Sequence, residues 1–246
     1  MSLDSYVGLQ IRQGKRYNTL GVYKFGFNSS VGNSEVTVSD NGSDYDALTS
    51  ASIVKISSSS TADTSDGTGA RTISISGLDA NYNEVNENIT LNGQTAVNST
   101  NSYIRVFRAK VLTAGSGGEN AGDIHIGTGA VSSGVPATSI AKISTGENQT
   151  LMAVWTIPAN YTGYLYKVEF SSNVQGSVYL TARVKVRDFG GVYQTKEKGT
   201  FTTDALKFNL DLPLEIPEKS DIKLTCIASA NTHGVSGSFI LLYVKN

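Results

Sequence analysis

Residues 70–129 read ARTISISGLDANYNEVNENITLNGQTAVNSTNSYIRVFRAKVLTAGSGGENAGDIHIGTG. Short apolar runs with a two-residue alternation are separated by Gly, Asn, Asp and Ser. Ile73 and Ile75 fall on one face of a strand, with small polar residues between them. The cluster Gly77–Asn83 supplies turn chemistry, because Gly, Asn and Asp adopt or stabilise turn dihedrals. Val85, Ile89 and Leu91 form the next run. Asn92-Gly93 then reads as a two-residue hairpin, since a type I′ turn needs positive φ at both central residues. Tyr103–Phe107 and Ile124–Ile126 continue the pattern. Strand, turn and strand at close, even spacing predict antiparallel all-β architecture and no helix in this stretch.

Outward from this stretch the pattern persists. Leu20–Phe27, Ala51–Ser57 and Tyr164–Phe170 alternate. Val178–Val186 alternates with Tyr179, Thr181, Arg183, Lys185 and Arg187, which predicts one buried face and one basic, wet face. Phe239–Val244 is apolar on both faces and is expected to be central or covered, because an exposed apolar edge aggregates. Ser58–Gly69 is polar and small, and reads as an exposed, flexible connection. The composition shifts at 144–148. Together these features predict two antiparallel β-sandwich (jelly-roll-like) domains, at 19–143 and 148–246. An extended N-terminal arm, residues 1–18, precedes them.

The bulk numbers narrow the function. The 246 residues are 39% hydrophobic and only 17% charged, against roughly 25% charged in an ordinary soluble chain. The net charge of −1 and pI near 6.1 lack the basic stripe of a nucleic-acid binder. No apolar run approaches the roughly 20 residues of a membrane helix, so neither nucleic acid nor membrane is an expected partner. Met1-Ser2-Leu3-Asp4 lacks the basic and apolar start of a secretory leader. Synthesis in a cytoplasm is therefore expected, which makes Asn-x-Ser/Thr sequons such as those at Asn28, Asn88, Asn98 and Asn148 chance products. Cys226, the single cysteine, alternates with Ile222 and Leu224 and reads as a buried small apolar residue.

Chemistry-bearing residues are sparse. His125 and His233 lie far apart in the sequence, and zinc needs three or four ligands. Ser116 sits in the Gly-rich run Ala114–Gly118 with no helix after it to make an anion site. Glu215 and Glu218 flank Pro217 and read as a solvated loop, not a glycosidase pair. The Asp40–Asp46 and Asp63–Gly67 loops offer oxygen ligands without EF-hand spacing. No catalytic residue, metal or cofactor is expected.

Several segments resemble one known family. They are Thr68-Gly69-Ala70-Arg71-Thr72, Gly77-Leu78-Asp79-Ala80-Asn81-Tyr82, Thr90-Leu91-Asn92-Gly93 and Val111–Ser116, continuing through Gly146-Glu147-Asn148-Gln149 and Ile157-Pro158-Ala159. The family comprises virion structural proteins of tailed, often marine, bacteriophages, and the resemblance spans about half to two thirds of the chain. It implies a particle component located in the virion and brings no catalytic residues. The expected role is capsid decoration and stabilisation, with the major capsid protein or other virion proteins as partners. The alternative is a tail or fibre component that binds a host receptor or surface glycan. Low charge and abundant tyrosine add an expected homo-oligomer, with a trimer favoured. The expected interface residues are Tyr6, Val7, Leu9 and Ile11 of the arm, with Phe239, Leu241 and Tyr243 of the last strand.

Overall fold

The computed structural model describes residues 7–42, 44–45, 47–174, 176–203 and 205–246. Helix α1 (Val7–Arg12), β1 (Thr19–Val31) and β2 (Val36–Thr37) open the chain. Then come β3 (Ser52–Ser58), β4 (Ala70–Leu78), β5 (Glu84–Thr90), β6 (Val97–Tyr103), β7 (Arg105–Ala114), β8 (Ile124–Ser132) and β9 (Val135–Ile143). The last set is β10 (Val154–Thr156), β11 (Tyr161–Ser172), β12 (Leu180–Arg187), β13 (Gln194–Phe201), β14 (Leu206–Ile216), β15 (Asp221–Ala228) and β16 (His233–Lys245).

The chain is all-β and divides into two compact units, one of Met1–Val38 with Ala153–Asn246 and one of Ser39–Met152. In the Ser39–Met152 unit the strands form two antiparallel sheets, ordered β6-β3-β8-β9 and β5-β4-β7. The alternation of β4 buries Ile73 and Ile75 completely. Ile73 pairs with Ile89 of β5 and with Val111 of β7. Val54 and Ile56 of β3 and Ile124 and Ile126 of β8 are likewise fully buried.

The other unit also has two antiparallel sheets, ordered β1-β16-β11-β14 and β10-β15-β12-β13, with β2 added to β15. Strand β16 is central, between β1 and β11, one of the two placements expected for its two-sided apolar run. Cys226 on β15 is buried and free, and burial pushes its thiol up to about 12.

Three expectations are corrected. The jelly-roll-like sandwiches give way, among the described residues, to four small antiparallel sheets, two per unit. Bulges at Asn28/Val31, Ser76/Gly77, Thr128/Val131 and Leu165/Lys167 break the ladders, and each bulge bends its strand and increases its twist. The division expected at 144–148 falls instead between Met152 and Ala153, and residues 19–38 join the C-terminal half. The reason is the long β1–β16 ladder, from Thr19↔Val244 to Val31↔His233, which ties one end of the chain to the other. Third, the arm is not wholly extended, since residues 7–12 are helical. Gln13 N donates to Leu9 O at 2.9 Å and Lys15 N to Gln10 O at 2.8 Å. Gly14 ends the turn with φ +68°, the left-handed conformation common just past a helix.

Phe239, Leu241 and Tyr243 are also corrected. They face the interior, and Leu241 is fully buried against Leu165 and Val22 as register neighbours. Leu241→Ala should therefore lower stability by about 3 kcal/mol without changing the association state. Urea unfolding combined with light scattering checks this. An unchanged unfolding midpoint with lost association would return Leu241 to an interface role.

Candidate functional site

In the Ser39–Met152 unit, β8 and β9 bring ionisable and hydroxyl side chains together beneath the segment around Asp40. His125 lies opposite Lys142 in the β8–β9 ladder. Its neighbours Ile124 and Ile126 turn into the core, so alternation sends the imidazole to the other face, where it is still 8% exposed. Asn41 closes over it. The Asn41 amide donates to Ser139 O at 3.1 Å, and Ser139 Oγ donates to Asn41 Oδ1 at 2.8 Å. His125 Nδ1 lies 3.4 Å from the same Oγ. The serine proton is committed to Asn41, so Nδ1–H is the donor to Ser139. This imidazole is not arranged as a base that activates Ser139.

Beside it, Lys142 Nζ pairs with Asp123 Oδ2 at 3.3 Å. Asp123 Oδ1 accepts the Thr145 amide at 2.9 Å and its hydroxyl at 3.0 Å. Burial would raise the Asp123 acid, but the Thr145 bonds and the Lys142 charge outweigh it and hold the group below its usual range. Burial lowers the His125 basicity, against the pull of Asp123 and with the push of Lys142. Asp40 differs from both. Its Oδ2 accepts the Ser144 amide at 3.4 Å and hydroxyl at 3.3 Å, while Oδ1 is buried with no partner. Burial pushes its acid up to about 7, in spite of the Leu151 amide, Lys142 and Ser144. The cluster can thus change charge near neutrality, but it presents no activated nucleophile. Among the described residues, no group of three His, Cys, Asp or Glu side chains could hold a metal ion.

A second polar centre was read from the sequence as a flexible loop. Asp63, in the polar 58–69 segment, is fully buried. Its Oδ1 accepts the amides of Ala70 at 2.7 Å and Ala121 at 2.8 Å. Its Oδ2 accepts the Ser58 hydroxyl at 2.6 Å and the Gly122 amide at 3.0 Å. The carboxylate replaces the missing apolar anchor and fastens two loops at once. Gly69 packs so closely that a Cβ there would overlap Asp63 Oδ1, and one at Gly115 would overlap Gly67 O. Both oxygens are occupied by protein donors, which leaves no ligand role for this aspartate.

The basic face expected on β12 is also tied down. Arg183 and Lys185 reach Glu35 at 3.1 Å and 2.7 Å. Arg187 grips Asp221 through two nitrogens, at 3.0 Å and 2.7 Å. The ionic partners come from residues 35 and 221, far from β12 in sequence. His233 lies in the other unit from His125, and its Nε2 contacts Ala230 O at 3.2 Å.

Of the expected interface residues, Tyr6 lies outside the described residues. Val7, Leu9 and Ile11 fall on α1, and Ile11 is buried over Gly21 of β1. Leu9 and Ile11 line an apolar cleft of about 480 Å³ with Val22, Tyr23, Ile240 and Leu242. The outward apolar positions of β16 are therefore Ile240 and Leu242, one residue out of step with those the sequence suggested.

No family model matches the chain, and no curated protein matches it. Solved structures similar to it include that of the infectious bursal disease virus Gt strain, at 14% identity, covering 93% of this chain and 73% of that one, with TM-score 0.24. The VP2 subviral particle of the same virus gives 11% identity, 93% and 72% coverage, and TM-score 0.23. The PBSX exported protein XepA gives 12% identity, 89% and 86% coverage, and TM-score 0.21. At such TM-scores these likenesses carry no argument about role.

Proposed function

We propose that this chain is a non-enzymatic structural component of a tailed-phage virion, a decoration or cement protein bound to the outer shell. One observation supports this reading above others: the segments that resemble the virion family are spent on scaffold. Gly69 and Ala70 abut the Asp63 carboxylate. Gly93 N donates to Asp63 O, and Ser58 N to Gly93 O, both at 2.8 Å. Asn148 and Asn120 exchange amide bonds at 3.0 Å and 3.1 Å. Long loops are thus held by backbone, amide and carboxylate hydrogen bonds that are buried or half-buried and that salt screens little, a construction suited to a particle surface. A homo-oligomer, with a trimer ahead of other states, accompanies this role. Its apolar contact is the outward face bearing Tyr23, Ile240 and Leu242.

Purified chain mixed with shells lacking it should bind saturably, at a fixed ratio to the major shell protein when imaged by cryo-EM. Light scattering should give three times the 26.1 kDa chain mass. Density confined to a tail or fibre would replace the cement reading with the receptor-binding one. Absence from the particle would overturn both.

A further inference from the structure

We propose that Asp40 is a pH-sensitive latch that fastens the first residues of the Ser39–Met152 unit to its last ones when protonated and releases them when ionised. The geometry is that of a clasp. Ser39 bridges Met152 in antiparallel fashion, and Asp40 N donates to Leu151 O at 2.9 Å. The Asp40 side chain then reaches back to Ser144. This single residue therefore joins the entering segment to both the turn after β9 and the returning segment.

The charges around it determine the direction of the response. Lys142 on β9 faces Asp40, but its ammonium is bound to Asp123. Asp123, immediately before β8, is held ionised by the Thr145 bonds and the Lys142 charge. Burial disfavours the charged form of His125, also on β8. From the returning segment the Leu151 amide assists, and from the turn Ser144 does. An ionised Asp40 thus leaves a buried oxygen without a partner, and opening the clasp to water solvates that charge. A neutral carboxyl carries a smaller penalty, that of an unpaired hydroxyl rather than an unpaired charge.

The folded acid is raised from 3.8 to about 7. The folded state therefore binds the extra proton between those values, and the clasp weakens as pH rises through this window. Between about pH 6 and pH 8 the opening equilibrium should rise about tenfold. Hydrogen exchange by NMR on the full chain reads this at the amides of residues 40 and 144, corrected for intrinsic exchange, with the Ile73 amide as control. Wild type should lose about tenfold protection at the two clasp amides and none at Ile73, whereas Asp40→Asn should show no such dependence. The carboxyl carbon of Asp40 should titrate near 7. A flat wild-type profile, a dependence that persists in the variant, or a carboxyl titration near 4 would each overturn the latch. The carboxyl titration decides the matter even where the variant does not fold.

Discussion

Replacing Asp63 with alanine should unfold the Ser39–Met152 unit under conditions where the wild type is stable. The substitution strands the amides of Ala70, Ala121 and Gly122 and the hydroxyl of Ser58. A hydrogen bond to a charged group contributes about 1.5–3 kcal/mol, and a stranded buried donor costs about 1–3 kcal/mol. Water entering the space left by the carboxylate offsets part of this. The net loss is on the order of 4–5 kcal/mol, at the extreme of single substitutions. Asp63→Asn keeps one acceptor oxygen but turns an amide group toward two donors, so it should fall between wild type and alanine. Urea unfolding followed by far-ultraviolet circular dichroism measures both. A loss below about 1 kcal/mol for the alanine variant would show that the carboxylate is not the anchor of these loops.

The second large effect is expected at Gly134. The β8–β9 connection is the two-residue turn Ser133-Gly134, with φ of +48° and +79° and Ser132 paired to Val135. Positive φ at both positions is the type I′ requirement. A Cβ on Gly134 would overlap the Ser58 carbonyl, and Gly134 O accepts the Ser57 hydroxyl at 3.0 Å. Gly134→Ala combines backbone strain of about 1–2 kcal/mol with displacement of Ser58, which itself holds Asp63. The total should reach about 3 kcal/mol or more. Ser133→Gly, at the neighbouring positive φ without this overlap, should be neutral or slightly stabilising. Thermal unfolding of the two variants side by side tests the contrast, and equal midpoints would refute it.

These two sites mark the boundary between local and tertiary information. Asn92-Gly93 has the stronger hairpin composition, yet β5 and β6, which flank it, lie in different sheets. Gly93 alone takes positive φ there, and its backbone is laced to Ser58 and Asp63 instead. The hairpin composition was legible, but the identity of the neighbouring strand was not. The same holds for the polar 58–69 segment. Its composition correctly excluded an apolar anchor. Its burial depends on amides at residues 121 and 122, which no local pattern connects to Asp63.

The sequence by itself determined which residues alternate and therefore which face these strands bury: Ile73 and Ile75 in β4 and the even-numbered positions of β12; it also marked Cys226 as a buried apolar residue and left β16 to be either central or covered. That information is local, because a strand's side chains alternate whatever its neighbour. Tertiary structure alone decided that β1 pairs with β16, that Glu35 and Asp221 neutralise the cations of β12, that Phe239, Leu241 and Tyr243 face inward while Ile240 and Leu242 face out, and that Asp40 is deprived of water. Each of these depends on which distant segment arrives to share a hydrogen bond or exclude solvent, a choice made by the burial and hydrogen-bond satisfaction of the whole chain.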